Sequence, residues 1–355
     1  MINATDILVN DTGTLVNNSA SKKISRELHY IAHISILLFA LIGNIWLIHS
    51  IVKKRRKRRR NKDISGKFIA NLAVCNLTLV LSSSPVDIAE IEIGYFPFGS
   101  IGCHILHPLS TIAVISMSLA LILLALERFV AVLYPFKYFK LQKFQLGVVV
   151  ISHLISFSIV FPYGWTLHIV NINGRPYCEE SWSEKSSSLY SIILFAVEYG
   201  IPLPIICVLY FMIWKKLNSN NRAKIKRSFN SFLTYSENET AQTDDGQKQN
   251  FFSVRKFSCI TECEKVFRER TKHTLALLRL FIAIVVVFAI FMLPNQITWL
   301  YVASTGLQVN NEWTTVAYWL TYTSSVLNPV IYGTNQKFPK LIHKLQRSFS
   351  RHTFR

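Results

Sequence analysis

Seven stretches of mostly apolar residues follow one another along the chain, separated by polar and charged segments. A helix needs about 20 mostly apolar residues to cross about 30 Å of hydrocarbon. The pattern therefore predicts seven membrane-spanning helices, called span one to span seven, of which the fourth and seventh are diluted by Ser, Thr and Tyr. The predicted bounds are Ile31–Ile51, Phe68–Ile91, Cys103–Leu133, Leu146–His168, Leu189–Trp214, Thr274–Val302 and Thr314–Tyr332.

Basic residues crowd the segments between the apolar stretches. The chain has 39 Lys and Arg against 20 Asp and Glu, although only 17% of its residues are charged. No Lys or Arg occurs from Phe68 to Glu127, whereas Lys53–Arg60, 215–272 and 337–355 are rich in them. A nucleic-acid-binding domain would carry its basic face on a soluble unit, so nucleic acid is not an expected partner. Basic segments beside apolar stretches are typical of a protein embedded in a lipid bilayer.

The charge distribution also predicts an orientation. Lys53–Arg60 directly follows span one, so this loop is expected in the cytoplasm and the N-terminus outside the cell. No pattern of a cleaved signal peptide precedes span one, which is therefore expected to act as the anchor. Asn3, Asn10 and Asn17 each begin an Asn-x-Ser/Thr triplet, which predicts that 1–28 is extracellular and glycosylated. The protein is expected to be a multi-pass plasma membrane protein with a cytoplasmic C-terminus.

Polar residues and prolines recur at matching depths of the predicted spans. Span three ends with Glu127-Arg128-Phe129, and span seven ends with Asn328-Pro329-Val330-Ile331-Tyr332. Ionisable and polar groups are costly in a membrane and usually serve a function. The other spans carry Asn44, Asn76, Pro202, Tyr210, Phe288 and Pro294.

This set of motifs resembles the rhodopsin-like family of G-protein-coupled receptors, from Gly43 to Tyr332. The resemblance implies an all-α membrane protein, a seven-transmembrane helix bundle (29–333) with a short amphipathic eighth helix in 334–355. It implies a receptor and not an enzyme, in which span six swings outward and a heterotrimeric G protein binds the opened crevice. Arrestin is a further candidate partner. The residues expected to form the activation switch are Glu127, Arg128, Tyr210, Phe288, Pro294, Asn328, Pro329 and Tyr332.

The cysteines also fit this family. Cys103 and Cys178 resemble its disulfide pair between span three and the second outer loop. They are the two of six cysteines at predicted outer positions, where disulfides persist.

Several residues depart from the family pattern. Asn76 stands where the family has a sodium-binding Asp, so sodium modulation is expected to be weak or absent. Met292 replaces the Trp of helix six, and Phe129 replaces the Tyr of the triplet. The usual Trp of helix four is missing, with Ser152 or His153 nearby.

The resemblance argues against two ligand classes. Ser110 stands where amine receptors have their Asp, and Tyr322 stands where opsins have their retinal-binding Lys. The predicted outer face is instead acidic, and the segment Pro176–Trp182 resembles the second outer loop of neuropeptide receptors. We expect an extracellular basic peptide, amidated at its end like the RFamides, as the ligand. The candidate ligand-binding residues are Asp87, Glu90, Ser110, Glu179, Glu198, Met292, Gln296 and Tyr322.

Other functions are less well supported. A receptor of the same fold for a small non-peptide ligand remains open, and a membrane transporter is the rival from another class, although no internal repeat is visible. The ten His residues are scattered and the usual enzyme motifs are missing, so neither a metal site nor a cofactor is expected. The long loop 218–270 is polar and is expected to be cytoplasmic and largely disordered.

Overall fold

The computed structural model describes residues 27, 30–53, 66–219, 248–307, 309 and 311–352. Side chains are described throughout these ranges except at 91–92, 135–136, 139, 142, 248–274, 311 and 334–352. The predicted glycosylation sites Asn3, Asn10 and Asn17, and most of the basic run after span one, lie outside the described residues.

Seven long helices correspond one by one to the seven predicted spans. Their bounds are Tyr30–Lys53, Gly66–Glu92, Gly99–Leu133, Gln145–Thr166, Glu184–Ser219, Lys248–Thr305 and Asn311–His352. Within the described residues, the first six are long and apolar enough to cross a membrane by length and composition. The short helix Pro135–Leu141 and the 3₁₀ turn Gln142–Phe144 connect spans three and four.

Span three is the central helix of the bundle. It has buried residues from Cys103 near one end to Arg128 near the other, and it packs against spans two, four and six and against the π turn of span five. The largest buried cluster includes Met117 and Leu121 of span three, Ile206 of span five and many residues of spans one, two and six. Large apolar residues on the outward faces of the helices are exposed, as expected for helices that contact lipid.

A β-hairpin follows span four. Strand β1, Leu167–Ile172, pairs antiparallel with strand β2, Arg175–Glu180. Asn173 and Gly174 form the connection with φ of 52° and 78°, and an Asn-Gly pair is favoured there because both positions need positive φ. The hairpin covers the end of the bundle at which span three begins.

The predicted disulfide is confirmed. Cys103 at the start of span three is bonded to Cys178 of β2, and their Cα atoms are 5.7 Å apart. The backbone N–H of Phe96 also donates to the carbonyl of Pro176 over 2.8 Å. The hairpin is thereby tied to the loop between spans two and three as well as to span three itself.

A neutral hydrogen-bond network joins spans one, two and seven. The Asn44 side chain donates to the carbonyls of Ala40 and Ser325 over 2.8 and 2.9 Å. Asn76 donates to Asn44 over 3.4 Å and accepts from the Ser325 hydroxyl over 3.1 Å. Asn44, Asn76 and Ser325 are at most 1% exposed. These groups satisfy one another in a region without access to water.

A second network joins spans two, three and four through His153. Its Nε2 lies 2.8 Å from the side-chain Oδ1 of Asn71, and its Nδ1 lies 3.1 Å from the Ser116 hydroxyl. Ser116 also donates to Ser156 over 3.0 Å. His153 therefore supplies a polar link between these three helices.

Two helices extend further than the hydrophobic pattern predicts. Span six begins at Lys248, so the backbone of 248–270 is helical where composition predicts disorder. Extending an existing helix avoids the cost of nucleation, and no Gly or Pro occurs between Lys248 and Pro294. The helix of span seven continues without interruption to His352, so a separate eighth helix is not distinguished.

We predict that Asn44→Ala lowers the thermal stability of the detergent-purified protein. The substitution removes two hydrogen bonds and leaves the Asn76 amide without its acceptor, which costs about 1–3 kcal/mol for each unsatisfied group. Ile45→Ala is the matched control, because the neighbouring Ile45 side chain is 57% exposed on the outer face of the same helix. Equal melting temperatures for the two variants would show that the network adds nothing to stability.

Candidate functional site

The candidate residues lie in two groups, one near each end of the bundle. The outer group lies in the half that the hairpin covers, and the inner group surrounds the Glu127-Arg128 pair at the other end of span three. The outer group contains the predicted ligand-binding residues, and the inner group contains most of the predicted switch residues.

In the outer group, Asp87 of span two and Tyr322 of span seven form the first contact. The Tyr322 hydroxyl donates to the Asp87 carboxylate and lies 2.8 Å from the Ser83 hydroxyl. Ser83 also donates to Asp87 over 3.1 Å. Asp87 is 6% exposed and Tyr322 is 2% exposed. The carboxylate is therefore held by neutral donors, and among the described residues no basic side chain forms an ion pair with it.

Glu198 of span five and Gln296 of span six form the second contact. The Gln296 amide donates to the Glu198 carboxylate over 2.6 Å, and both residues are buried. Span five forms a π turn over Ala196–Gly200, and the Ser118 hydroxyl of span three donates to the Glu198 carbonyl over 2.6 Å. π turns are often found at functional sites, and this one contains the buried carboxylate.

Glu90 and His107 form a third, more accessible pair. Glu90 Oε1 lies 3.8 Å from His107 Nε2, and the Glu90 side chain is 41% exposed. The His107 ring stacks on Phe96, with the ring centroids 5.4 Å apart. The pair lies close to the Cys103–Cys178 disulfide, because Phe96 and Cys103 belong to the same buried cluster.

The remaining predicted ligand-binding residues differ in their surroundings. Ser110 donates back to the His107 carbonyl of its own helix over 2.7 Å. Met292 is 1% exposed, with its sulfur 4.0 Å from the Ser324 hydroxyl. Glu179 is exposed on the hairpin, and the structure does not bring it to the other acidic residues.

Glu180, next to Glu179 on the same strand, is the acidic residue of the hairpin that contacts span five, and this contact was not predicted. Its carboxylate accepts hydrogen bonds from the Trp182 indole and, over 2.8 Å, from the Ser187 hydroxyl. Trp182 in turn packs against Tyr190, with ring centroids 4.9 Å apart. Two adjacent Glu residues on a strand point to opposite faces, so the sequence could have indicated that only one of them faces the protein.

At the inner end, Arg128 pairs with Glu127. The guanidinium nitrogen lies 3.4 Å from the Glu127 carboxylate, and the two side chains are 10% and 3% exposed. The guanidinium also lies over the Phe281 ring of span six, 5.2 Å from its centroid. Such a cation–π contact is favourable when water is excluded. The Arg128 charge is thus held by its neighbour in sequence and by span six.

Tyr138 of the short connecting helix completes this arrangement. Its hydroxyl donates to Glu127 over 3.0 Å. Burial and the nearby Glu127 charge raise the pKa of the Tyr138 phenol well above its usual value. The phenol therefore stays a neutral hydrogen-bond donor at physiological pH. Tyr138 connects the loop after span three directly to the charged pair.

The other predicted switch residues lie in the described spans. Phe288 is buried and stacks on Tyr199, with ring centroids 6.4 Å apart. The Tyr210 hydroxyl and the side-chain Oδ1 of Asn328 are buried and have no hydrogen-bond partner among the described residues. Tyr332 is buried beside the largest core cluster.

The two prolines of the predicted switch interrupt helical hydrogen bonding. Pro294 lies inside span six, and Pro329 packs so closely on span one that a Cβ added to Gly43 would lie 3.2 Å from its ring. A proline inside a helix removes one backbone donor and kinks the helix. Both positions are therefore suited to act as hinges.

The sequence could have indicated some of the missed contacts but not others. Ser83, Asp87 and Glu90 share one face of span two at spacings of four and three residues, so Ser83 was identifiable as a neighbour of the acids. Nothing in the local pattern indicates that Tyr138 or Phe281 contacts the charged pair, since these contacts depend on how helices pack.

No group of three or more His, Cys, Asp or Glu residues suited to hold a metal ion occurs within the described ranges. Asn76, which resembles the family's sodium position in the sequence, is bonded to the neutral side chains of Asn44 and Ser325. A sodium ion would find neutral ligands that already bond to one another.

We predict that Asn76→Asp introduces a sodium dependence that the natural chain lacks. The added carboxylate supplies a charge beside the Ser325 hydroxyl, and oxygen ligands with a charge favour hard cations. The measurement is the melting temperature in sodium chloride against N-methylglucamine chloride, with Asn71→Asp as the control. An equal response of the natural chain and Asn76→Asp to sodium would contradict this prediction.

Comparisons with known proteins agree with the seven-helix fold. The family model of the 7 transmembrane receptor (rhodopsin family) matches residues 43–332. Similar proteins include Neuropeptide FF receptor 1 of Rattus norvegicus, 27% identical over 52% of this chain and 45% of the relative, and Neuropeptide Y receptor type 2 of Gallus gallus, 26% identical over 53% and 50%. Neuropeptide F receptor of Drosophila melanogaster is 25% identical over 52% of this chain and 40% of its own length.

The chain thus spans about half the length of the curated relatives that it matches. The family model covers most of the chain, from span one to the end of the Asn-Pro-x-x-Tyr motif. It confirms the prediction of a receptor rather than an enzyme or a transporter. The chain belongs to the rhodopsin family of seven-transmembrane receptors.

Proposed function

We propose that this receptor is activated at the cell surface by a basic extracellular peptide and signals through a heterotrimeric G protein. The observation that carries the proposal is the pair of buried carboxylates, Asp87 and Glu198, in the outer half of the bundle. Neither has a basic partner among the described residues. The relatives that bear the names of neuropeptide FF, neuropeptide Y and neuropeptide F support a peptide ligand.

The energetic argument favours a cationic ligand. A buried carboxylate costs several kcal/mol unless it is paired, and charged groups within a membrane are usually functional. Tyr322 and Gln296 donate neutral hydrogen bonds, which reduce this cost without cancelling the charge. A guanidinium or ammonium group of a ligand supplies the missing opposite charge.

A peptide fits the surface better than a small amine. Ser110 offers a hydroxyl that is already bonded to its own helix, so the central helix provides no charged anchor there. The acidic groups are instead distributed over span two and span five, and Glu90 of span two is accessible. A ligand with several cationic side chains along an extended backbone can reach more than one of them.

For the inner end, we propose that the present packing is the resting state. Arg128 is paired with Glu127 and lies over Phe281 of span six. Movement of span six about Pro294 separates Phe281 from Arg128 and opens a crevice for the G protein, with arrestin as a further partner. Tyr210 has a buried hydroxyl without a partner among the described contacts, and its oxygen is suited to accept a hydrogen bond from Arg128 in the opened state.

This proposal requires the orientation predicted from charge. The hairpin and the disulfide face the outside of the plasma membrane, and the Glu127-Arg128 pair and the basic loops face the cytoplasm. A disulfide persists in the oxidising exterior, which supports this assignment. An N-terminal epitope tag detected on intact cells tests it directly.

The ligand class is tested by a screen of secreted peptides on cells that express the receptor, with second-messenger assays for each G-protein class. The panel contains basic amidated peptides, their free-acid forms, acidic peptides and small amines. The proposal expects activation by a basic peptide. Activation by a small amine alone would support the non-peptide alternative instead.

We predict that Asp87→Asn and Glu198→Gln each lower the potency of the active basic peptide by about 10–100-fold, since a hydrogen bond to a charged group contributes about 1.5–3 kcal/mol. Glu179→Gln is the matched control. It makes the same change from carboxylate to amide, but at an exposed residue that does not belong to the buried pair. Surface expression is measured for each variant, so that a folding defect is not read as weaker binding.

The pattern across ligands identifies the contact. Replacing one Arg of the peptide by citrulline removes a positive charge and should weaken binding to the natural receptor. The same replacement should have less effect on the receptor variant in which the carboxylate that binds this Arg has been neutralised. Unchanged potency in both Asp87→Asn and Glu198→Gln at normal expression would exclude these residues as cation-binding groups.

A further inference from the structure

A cavity of about 440 Å³ lies between the outer halves of spans three and four, on the side that faces lipid. Its walls are mainly apolar and include Pro108 of span three and Phe161 of span four. The two helices approach closely at its wall, because a Cβ added to Gly164 would lie 3.2 Å from the Pro108 ring. Its volume lies in the range of small-molecule sites, about 300–1,000 Å³. It is separate from the acidic groups proposed to bind peptide.

One wall of the cavity is a ladder of three aromatic rings. Phe157, Phe161 and Trp165 follow one another at intervals of one helical turn, with successive ring centroids 6.0 and 6.2 Å apart. Their side chains are 53%, 55% and 79% exposed, so in a membrane they contact lipid. A row of rings along about 12 Å of helix, eight residues at 1.5 Å each, forms an extended stiff surface.

The outer end of the cavity carries a polar group, His104. Its Nδ1 lies 2.8 Å from the Ser100 carbonyl oxygen, which can only accept, so Nδ1 carries the proton of the neutral ring. Nε2 is then a hydrogen-bond acceptor, and no donor among the described residues bonds to it. Trp165 lies at the same end of the cavity, close to the end of span four at Thr166.

We propose that this cavity binds a membrane sterol, with its hydroxyl donating to His104 Nε2 and its fused rings lying along the ladder of Phe157, Phe161 and Trp165. The polar end of the site lies near the end of the helices, at the depth where interfacial Trp residues are enriched. The apolar part extends towards the middle of the bilayer. A sterol has the same distribution, one hydroxyl at the interface and a rigid apolar body below it.

The chemistry of the cavity favours a sterol over the acyl chain of a phospholipid. A flexible chain loses rotational freedom when it is held against a stiff surface, whereas fused rings are already rigid. The single neutral acceptor matches one hydroxyl group. A phosphate headgroup would call for a cationic partner, and none of the described residues that line the cavity is Lys or Arg.

The test uses the full-length receptor without agonist, in nanodiscs of phosphatidylcholine that contain a photoreactive diazirine analogue of cholesterol. The receptor is then digested, and its labelled fragments are identified by mass spectrometry. Labelling is compared with and without excess cholesterol. We expect saturable labelling on the outer halves of spans three and four. Because the readout needs no ligand activity, failure of the peptide proposal does not affect it.

Two variants and one control locate the site. His104→Phe keeps an aromatic ring and removes the acceptor, and should weaken the competable labelling about fivefold, the effect of one lost hydrogen bond. Phe161→Ala removes the middle of the ladder from an exposed position and should weaken it further. Phe211→Ala is the control, since Phe211 is 60% exposed and packs on Trp214 in a similar aromatic pair on span five.

Three outcomes would overturn the proposal. Labelling that excess cholesterol does not reduce indicates bulk lipid rather than a site. Equal competition by a free fatty acid, which has an acyl chain and no sterol ring, indicates an acyl-chain groove. Equal loss of labelling in Phe211→Ala and Phe161→Ala shows that any exposed aromatic pair has the same effect.

Discussion

The positive charge of Arg128 is the constraint on which the inner half of the receptor depends. The side chain is 10% exposed and cannot be satisfied by bulk water. Glu127 supplies the opposite charge, Tyr138 orients Glu127, and Phe281 places span six beside the guanidinium. Removing one partner of a buried ion pair costs about 3–5 kcal/mol. The same contacts that satisfy the charge therefore keep span six close to span three.

The buried ionisable groups of the outer half are acidic rather than basic, and they have neutral partners instead of an oppositely charged one. Asp87 and Glu198 are buried beside neutral hydrogen-bond donors, and no described basic side chain forms an ion pair with them. Between the two ends, Asn44, Asn76 and Ser325 form a neutral network across three spans. In the proposed mechanism, a ligand that adds positive charge at the outer end would change the balance between two packings of one bundle, which is how a bound ligand shifts a population.

Much of this organisation was predictable from the sequence, because it depends on residues that are close together along the chain. Apolar stretches of sufficient length predict the spans, and adjacent residues such as Glu127 and Arg128 can pair without knowledge of the fold. Apart from the Cys103–Cys178 disulfide, the contacts between distant segments were not predicted. Tyr138 reaches Glu127 only because the short helix after span three folds back, and His153 links three spans through packing. The helix from Lys248 extended a span into a polar segment where composition alone indicated disorder.

The most direct test measures the separation of spans three and six when the Arg128 pair is broken. One spin label at Leu141, on the short helix that directly follows span three, and one at Leu275 of span six report this separation by double electron–electron resonance in a receptor without its other reactive cysteines. Glu127→Gln is expected to add a population at longer distance that the natural receptor and a Glu179→Gln control lack. Identical distance distributions in all three proteins would contradict the claim that the Arg128 charge holds the bundle closed.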